Sequence, residues 1–370
     1  MLPIEARAGM IPAITGVGSA VGSEIKTNDD LIPHITAANP EKWGGKERAF
    51  RMLMYKVGIQ TRPQVRIGEQ ATSHLATEAS RIAMEMAGIR PEDIGSVVIA
   101  TSSQDYLGLP VSPMVQDNLG IPNDVGAYDL MAACPGFGHN LRNAFYEVTH
   151  PLWDGKPMLI GGAETISPYT DATDENTYLL FGDAAGSVIV DLVKPDEGAP
   201  TIWKIVRWSD GSKRMAIRVD AGGTMNPPTE RTVREKQHVL RLDGKVVTQT
   251  AIEQMTRQIK DVLEQTGYPA EEVKLIPHQA NKSIMNPVAE NVGVPREHVV
   301  VTIDRYGNTS SASIPTALYE GFLSGQVKRN EVVVFCTAGA GINVVSGVIP
   351  MVGLPQEPDP RFHTVARVAA

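Results

Sequence analysis

Two kinds of apolar segment alternate along the 370-residue chain. Short, β-branched runs predict buried strands at Val97-Val98-Ile99-Ala100, Met158-Leu159-Ile160-Gly161, Ser187-Val188-Ile189-Val190, Val299-Val300-Val301-Thr302-Ile303 and Val332-Val333-Val334-Phe335. Between them, helical patterning predicts helices over Ser73 to Ala87, Thr250 to Gln265, Ile284 to Asn291 and Ile314 to Ser324. Thr72-Ser73 followed by Glu78 reads as a helix start, and Gly88 and Gly267 read as C-terminal stops. Strands alternating with helices define an α/β fold. The polar, turn-rich stretch Lys194-Pro195-Asp196-Glu197-Gly198-Ala199-Pro200 is the best linker, which divides the chain into halves at 1–193 and 194–370. Residues 207 to 240, charged and of mixed periodicity, read as a surface excursion. No short-period repeat is present, but each half carries a strand–turn–helix with a polar tip, at Cys134 and at Asn308.

Composition narrows the class. Hydrophobic content of 42% and charged content of 21% are ordinary for a soluble globular protein. The formal net charge is -8, from 34 basic and 42 acidic residues. That balance disfavours nucleic acid as a partner, since phosphate binding needs a basic footprint. Met1-Leu2-Pro3-Ile4-Glu5-Ala6-Arg7 lacks the pattern of a signal peptide. No apolar stretch approaches the roughly 20 residues of a spanning helix, so no membrane partner is expected. Two cysteines fit a reducing compartment, and the expectation is a cytoplasmic protein.

The chemistry concentrates at strand-end turns. Cys134 lies in Met131-Ala132-Ala133-Cys134-Pro135-Gly136-Phe137-Gly138, after the extended run Gly126 to Leu130 and before a helical stretch. A helix N-terminus favours thiolate over thiol, so this turn suits a covalent acyl carrier; a buried structural cysteine is the other reading. His278 sits in Lys274-Leu275-Ile276-Pro277-His278-Gln279-Ala280-Asn281, at the tip of a short apolar strand, where α/β folds place ligands. It reads as a site residue or as a satisfied core imidazole. Asn308, in Tyr306-Gly307-Asn308-Thr309-Ser310, is either a carbonyl-polarising amide or a turn and cap residue. Phe335-Cys336-Thr337-Ala338-Gly339-Ala340-Gly341 is a small-residue loop able to bring backbone N–H groups close to a ligand; Cys336 itself is expected to pack. Gly16-Val17-Gly18-Ser19-Ala20-Val21-Gly22 imitates a dinucleotide fingerprint but misplaces its last glycine. His139 with Cys134 cannot close a zinc shell, so no metal is expected.

Taken together, these segments resemble the thiolase superfamily, and within it β-ketoacyl-(acyl carrier protein) synthase III. The resemblance rests on Pro277 to Asn281, on Tyr306-Gly307-Asn308-Thr309-Ser310-Ser311-Ala312-Ser313-Ile314-Pro315, on Leu130 to Phe137, on Phe181-Gly182-Asp183-Ala184-Ala185-Gly186 and on Ala76-Thr77-Glu78-Ala79, in the family's order over nearly the whole chain. It implies a thiolase-like five-layer αβαβα fold of two similar halves, the first carrying the nucleophile and the second the His and Asn, and a homodimer. It implies Cys134 as acyl-accepting nucleophile with His278 and Asn308, and an oxyanion hole from the N–H groups of Cys134 and Gly339. The implied reaction transfers an acyl group from coenzyme A or acyl carrier protein to Cys134. Decarboxylative condensation with a malonyl thioester then gives a 3-oxoacyl product. No metal or redox cofactor is required.

Measured against that family, several positions depart. Met52 stands where the adenine-gripping Trp is expected, and Lys56 stands in for the neighbouring Arg. Glu175 replaces a second Arg, and Glu290-Asn291 replaces a basic pair, while Lys282 retains one cation. Leu109 takes the place of the pocket-capping Phe that a partner subunit contributes, and Asn39 to Arg51 is longer than usual. Carboxylates beside a nucleotide or an acidic carrier weaken attraction, so the expectation is a condensing enzyme of specialised lipid or polyketide metabolism. The runner-up is an acyltransferase that passes the Cys134-bound acyl group to a small nucleophile without decarboxylation. A non-catalytic scaffold is disfavoured by the intact Cys, His and Asn. A hydroxymethylglutaryl-type synthase needs a glutamate base, for which Glu164, at a strand end, is a poor candidate.

Overall fold

In the computed structural model, which describes residues 7–362, the β-branched runs become the strands of two sheets. The opening Met1-to-Ala6 segment lies outside the described residues, leaving the signal-peptide reading untouched. The elements that build the layers are strand β1 (Ile11–Val21), helix α1 (Thr72–Ala87), β2 (Ser96–Ala100), α2 (Val111–Leu119), β3 (Gly126–Leu130), α3 (Gly136–Thr149), β4 (Met158–Glu164) and β5 (Ala184–Val193). They are followed by β6 (Lys204–Ser209), α4 (Gly244–Thr266), β7 (Lys274–Pro277), α5 (Lys282–Val292), α6 (Ser313–Leu323), β8 (Val332–Gly339) and β9 (Asn343–Pro350). One sheet has the order β1-β5-β4-β2-β3 and the other β7-β8-β9-β6. Strands β2, β3 and β4 run parallel, as do β7 and β8, while β1, β5, β6 and β9 pair antiparallel to their neighbours.

Side-chain alternation explains why both sheets are sandwiched. Along β2, Val97 and Ile99 face one way and Val98 the other; along β8, Val332, Val334 and Cys336 oppose Val333 and Phe335. The inner set (Val98, Ile160, Val188, Ile276, Val333, Phe335) meets Phe137 and Leu141 of α3 and Ile314, Tyr319 and Phe322 of α6 in one core. The outer faces are covered by α1 and α2 on one side and by α4 and α5 on the other. The result is five layers, αβαβα, with α3 and α6 as the central layer. Cys336 faces the outer core and is fully buried.

Three readings change. The run Gly16 to Gly22 belongs mostly to β1, and its glycines are there for packing: a Cβ on Gly18 would lie 2.2 Å from the Ala79 carbonyl oxygen of α1, and one on Gly16 2.2 Å from that of Ala83. The predicted strand at Val299 to Ile303 does not join the sheet. Val300 makes one bond to Leu275, but the N–H groups of Thr302 and Ile303 donate to the Gln279 side chain, and a short helix, Ile303–Tyr306, begins there. The excursion after residue 207 starts later, because Arg207 to Ser209 extend β6 along β9.

Gly18→Ala should therefore lower the unfolding free energy by about 1–3 kcal/mol through overpacking. Gly244→Ala, where no atom approaches an added Cβ, should change it by less than about 0.5 kcal/mol. Urea unfolding of both variants checks the contrast.

Candidate active site

Parallel strands β2, β3 and β4 end on one side of their sheet, and the groups of interest gather there. The surface cleft lined by Gly95, Ser96, Trp153 and Met158 lies at the opposite end of these strands. Past Leu130 the chain turns through Ala133, which adopts φ 51°, and the Gly136 N–H donates to the Ala133 carbonyl at 2.8 Å. A left-handed alanine costs on the order of 1 kcal/mol, so the surroundings must hold it. The turn brings Cys134 against β8: a Cβ on Gly339 would lie 3.0 Å from the Cys134 nitrogen and 2.6 Å from Pro135 Cδ. Only glycine leaves room for that approach.

Cys134 is a free, half-buried thiol. Desolvation works here against the thiolate that the helix N-terminus favours. Burial pushes the thiol up to about 11, the hydrogen bond with Ser310 opposes that, and the charge of Glu164 adds to it. At neutral pH the sulfur holds its proton, and the nucleophile forms only when that proton leaves.

His278 continues the β7 ladder by one bond, from its N–H to the Cys336 carbonyl at 2.7 Å. Its Nδ1 lies 2.7 Å from Ser313 Oγ at the start of α6. Gln279 braces it: its amide donates to the Pro277 and Val300 carbonyls at 2.7 and 3.2 Å, and its backbone N–H reaches Ser313 Oγ at 3.4 Å. Burial without a charged partner holds His278 down to about 4, so the imidazole is neutral across the physiological range. With Ser313 Oγ accepting from Gln279 and donating to Nδ1, the ring proton would sit on Nε2. Among the described residues Nε2 has no protein hydrogen bond.

Asn308 is fixed by its backbone, which donates to the Leu180 carbonyl at 2.9 Å and accepts from Gly182 N–H at 3.1 Å. Its Oδ1 accepts from the Ser310 N–H at 2.9 Å. The side-chain NH2 then remains an unpaired donor among the described residues. The turn from Asn308 to Ser313 thus touches all three groups: Ser310 Oγ lies 3.4 Å from Cys134 Sγ, Ser310 N–H orients Asn308, and Ser313 orients His278. Asp183, in the Gly-Asp motif, is structural: it accepts from Val65 N–H at 2.8 Å and from Ser167 N–H at 2.9 Å.

One group that sequence reasoning set aside belongs here. Glu164, the last residue of β4 and fully buried, lies with Oε1 3.3 Å from Ser310 Oγ. Oε2 accepts from Ser103 Oγ at 2.6 Å and Ser102 N–H at 3.2 Å. Burial raises its carboxyl to about 6. The signal was present in the sequence, since Glu164 is the one charged residue of the strand Met158-Leu159-Ile160-Gly161-Gly162-Ala163-Glu164.

The expected substrate-binding residues lie further out. The helix Glu47–Val57 carries exposed Lys56 and half-exposed Met52, and the stem of Lys282 lies against Gly58, so the two lysines share one neighbourhood. Leu109 is 43% exposed on a turn with Tyr106. Glu175 is not a free repulsive charge, as expected, because Lys42 Nζ sits 2.8 Å from it. Sequence reasoning also missed Trp43, which stacks edge-on against Phe50 at 5.0 Å with Lys42 and Lys46 over its ring. Glu290 is exposed, 3.5 Å from Arg296.

A cysteine at a strand-to-helix turn, linked through the one turn 308–313 to a neutral histidine and a free amide within an αβαβα sandwich, fits an acyltransferase of the thiolase class. The model of 3-oxoacyl-[acyl-carrier-protein] synthase III matches residues 128–211, and that of its C-terminal part matches 263–351. The β-ketoacyl-[acyl-carrier-protein] synthase III of Erythrobacter litoralis is 34% identical over 330 residues, covering 89% of this chain and 96% of that protein. The crystal structure of 3-oxoacyl-(acyl carrier protein) synthase III from Pseudomonas aeruginosa superimposes with a TM-score of 0.79 at 28% identity, covering 93% of this chain and 99% of that one. The priming β-ketosynthase of the R1128 polyketide pathway gives 0.79 at 28%, covering 94% and 97%. The chain belongs to the β-ketoacyl-(acyl carrier protein) synthase III family. It is an acyltransferase whose reaction couples acyl transfer to decarboxylative condensation with a malonyl thioester.

Ser313→Ala, which removes the hydroxyl that sets the imidazole, should slow malonyl-thioester decarboxylation about 3- to 10-fold, as expected for one neutral hydrogen bond of 0.5–1.5 kcal/mol. Carbon dioxide release against wild type, with folding checked by circular dichroism, measures it.

Proposed function

We propose that Cys134 is the acyl carrier and that His278 and Asn308 are the donors stabilising the malonyl-derived enolate. The observation that carries this reading is the pair of unspent donors, His278 Nε2–H and the Asn308 amide, held by Ser313 and Ser310 on the turn that also touches Cys134. In the first half-reaction the Cys134 sulfur attacks the donor's thioester carbonyl, whose oxyanion is held by the N–H groups of Cys134 and Gly339, and the donor thiol departs. In the second, a malonyl thioester loses carbon dioxide. The electrons of the broken C–C bond form an enolate, whose oxygen accepts from His278 and Asn308. The enolate carbon then attacks acyl-Cys134, giving a 3-oxoacyl thioester and expelling the Cys134 thiolate, which takes one proton from solvent to restore the thiol. A neutral imidazole suits this role, since it donates a hydrogen bond without surrendering a proton that would quench the carbanion. Apart from one solvent proton, the side chains and the thioester substrates supply the atoms involved, and no step changes an oxidation state through a cofactor.

The acyl donor is a coenzyme A or acyl carrier protein thioester arriving past Lys56 and Lys282. Where the family clamps adenine with cations, this chain ties Glu175 to Lys42 and presents Trp43 on an adjoining segment, which supports a specialised lipid or polyketide role over bulk fatty-acid initiation. A homodimer is supported by β3, the edge strand of its sheet, with Tyr128 and Met131 exposed there at 49% and 78%, and by exposed Tyr106, Leu107 and Leu109 nearby. Leu109 would then cap the pocket of the second subunit. Two free thiols and the absence, among the described residues, of a helix able to cross a membrane support a cytoplasmic setting.

Intact-mass measurement after incubation with acyl-CoA and acyl-carrier donors tests the reading. Wild type should gain one acyl group and release carbon dioxide when a malonyl thioester follows; Cys134→Ala should gain none. An adduct that persists in the alanine variant overturns the assignment of Cys134. Rapid condensation of acetyl-CoA with malonyl carrier protein overturns the specialised role.

A further inference from the structure

Cys134 rests as a thiol, and the neutral imidazole of His278, whose Nδ1 is taken up by Ser313 Oγ, makes no hydrogen bond to its sulfur among the described residues. Acylation therefore needs another acceptor for the thiol proton, and the structure offers one. Ser310 Oγ stands between Cys134 Sγ at 3.4 Å and Glu164 Oε1 at 3.3 Å. A hydroxyl has one proton to give. Ser310 Oγ is placed to donate to either Cys134 Sγ or Glu164 Oε1; once its one proton is committed to an ionised Glu164, the oxygen's lone pair is left to accept from the Cys134 S–H.

The surroundings favour this role over a packing role. Burying a carboxylate is costly unless a cation pairs with it. Among the described residues Glu164 has no cationic partner, only hydroxyls and one amide. Its position is nevertheless built with care: Ser103 is locked in turn by the Thr165 N–H at 2.9 Å, and Thr72 holds both the Ser103 carbonyl and Thr165 Oγ1. Ser310 adopts φ 52°, a conformation that a serine holds only when its surroundings impose it. The titratable groups facing Glu164 are Cys134 and Tyr169, both pushed upward by its charge. The loop after β2 presents Ser102 and Ser103, the 310–312 turn presents Ser310 and Ser311, and β5 presents Ala184 opposite.

We infer that Glu164, acting through Ser310, takes the Cys134 proton as the thioester is attacked. The S–H bond breaks as the S–C bond forms, the sulfur proton passes to Ser310 Oγ, and the Ser310 proton passes to Glu164 Oε1. When the tetrahedral intermediate collapses, the departing donor thiolate takes a proton back along the same path, and Glu164 is ionised again. The net change is thiol plus thioester to thioester plus thiol. Glu164 is thus a positioning residue of the first half-reaction, distinct from the donors of the second.

The inference rests on Cys134 as nucleophile, so its test is made independent of the natural donor. The rate of Cys134 alkylation by iodoacetamide, followed by intact mass between pH 5 and 9, reads the relay directly; acylation by an acyl-CoA is measured in parallel. The carboxyl sits near 6 and acts as base when ionised, so the wild-type rate should rise with pH through about 6 and level off before the thiol itself titrates. Glu164→Gln should lose that limb and react about 10- to 100-fold more slowly at pH 7.5, within the range or just below it for a lost general base. Ser310→Ala should do the same with the carboxyl still present, which decides the matter if Glu164→Gln fails to fold. A limb near pH 6 that persists in the variants, a wild type without one, or variants that react at the wild-type rate overturns the relay. Loss of acyl-CoA transfer in wild type with the alkylation limb intact would instead overturn the donor assignment and leave the relay standing.

Discussion

The 2.7 Å hydrogen bond between Ser313 Oγ and His278 Nδ1 joins the start of the central helix α6 to the end of β7, and the active site depends on that junction. His278 belongs to one sheet's edge strand, Cys134 to a turn leaving the other sheet, and neither sheet alone positions both. The segment from Asn308 to Ser313 meets the two at once because α6 is packed in the central layer, with Ile314, Tyr319 and Phe322 buried beside Phe137 of α3. The apolar core sets the distance between the sheets, and three hydroxyl or amide contacts along one turn set the chemistry.

That burial also fixes the electrostatic state. A Cys and a His sharing a solvated cleft would exchange a proton and rest as an ion pair. Here desolvation works against both charged forms, taking the thiol to about 11 and the imidazole to about 4. A neutral pair suits condensation, because an imidazolium beside an enolate is an acid that would destroy it. The cost is a thiol that does not activate itself, and among the described residues the carboxylate in hydrogen-bond contact with the serine touching its sulfur is Glu164.

Much of this was legible in the sequence, and the rest was hidden for identifiable reasons. Cys134 and His278 stand at strand-end turns and Asn308 follows the short helix Ile303–Tyr306; the Pro, Gly and small residues of these turns signal a change of element, so local patterning singled them out and the family resemblance gave them their roles. Strands β2, β4, β5 and β8 were visible only as short apolar cores, and Val299 to Ile303 looked like another. What removed it from the sheet was a single long-range competitor, the Gln279 carbonyl oxygen, which takes the N–H groups of Thr302 and Ile303. The state of the thiol was not legible because a helix N-terminus is a local feature and desolvation is not. Glu164 was set aside because a glutamate ending a strand resembles a solvent-facing stop. Its burial depends on Ser310, which lies 146 positions further along the chain.

At the outer face the same distinction between local and long-range information decides how the departures from the family act. Glu175 replacing a cation looks like a repulsive charge until Lys42, 133 positions away, is found at 2.8 Å. Asp171 and Asp174 of the same loop meet Lys236 at 2.8 Å and Arg241 at 3.7 Å, from the excursion between β6 and α4. Exposed pairs of this kind contribute little to stability. Their effect is on recognition: Lys42, Lys236 and Arg241 are each bound to a carboxylate, whereas Lys56 and Lys282 make no ion pair among the described residues, so a nucleotide phosphate meets two open lysines but must compete with an internal partner for the other three cations. A donor held by its acyl chain and pantetheine arm avoids that competition, whereas one that depends on phosphate contacts does not. The ion pairs of Asp171, Asp174 and Glu175 therefore bear on charged contacts at that loop and not on the thioester chemistry proposed at Cys134, Gly339, His278 and Asn308.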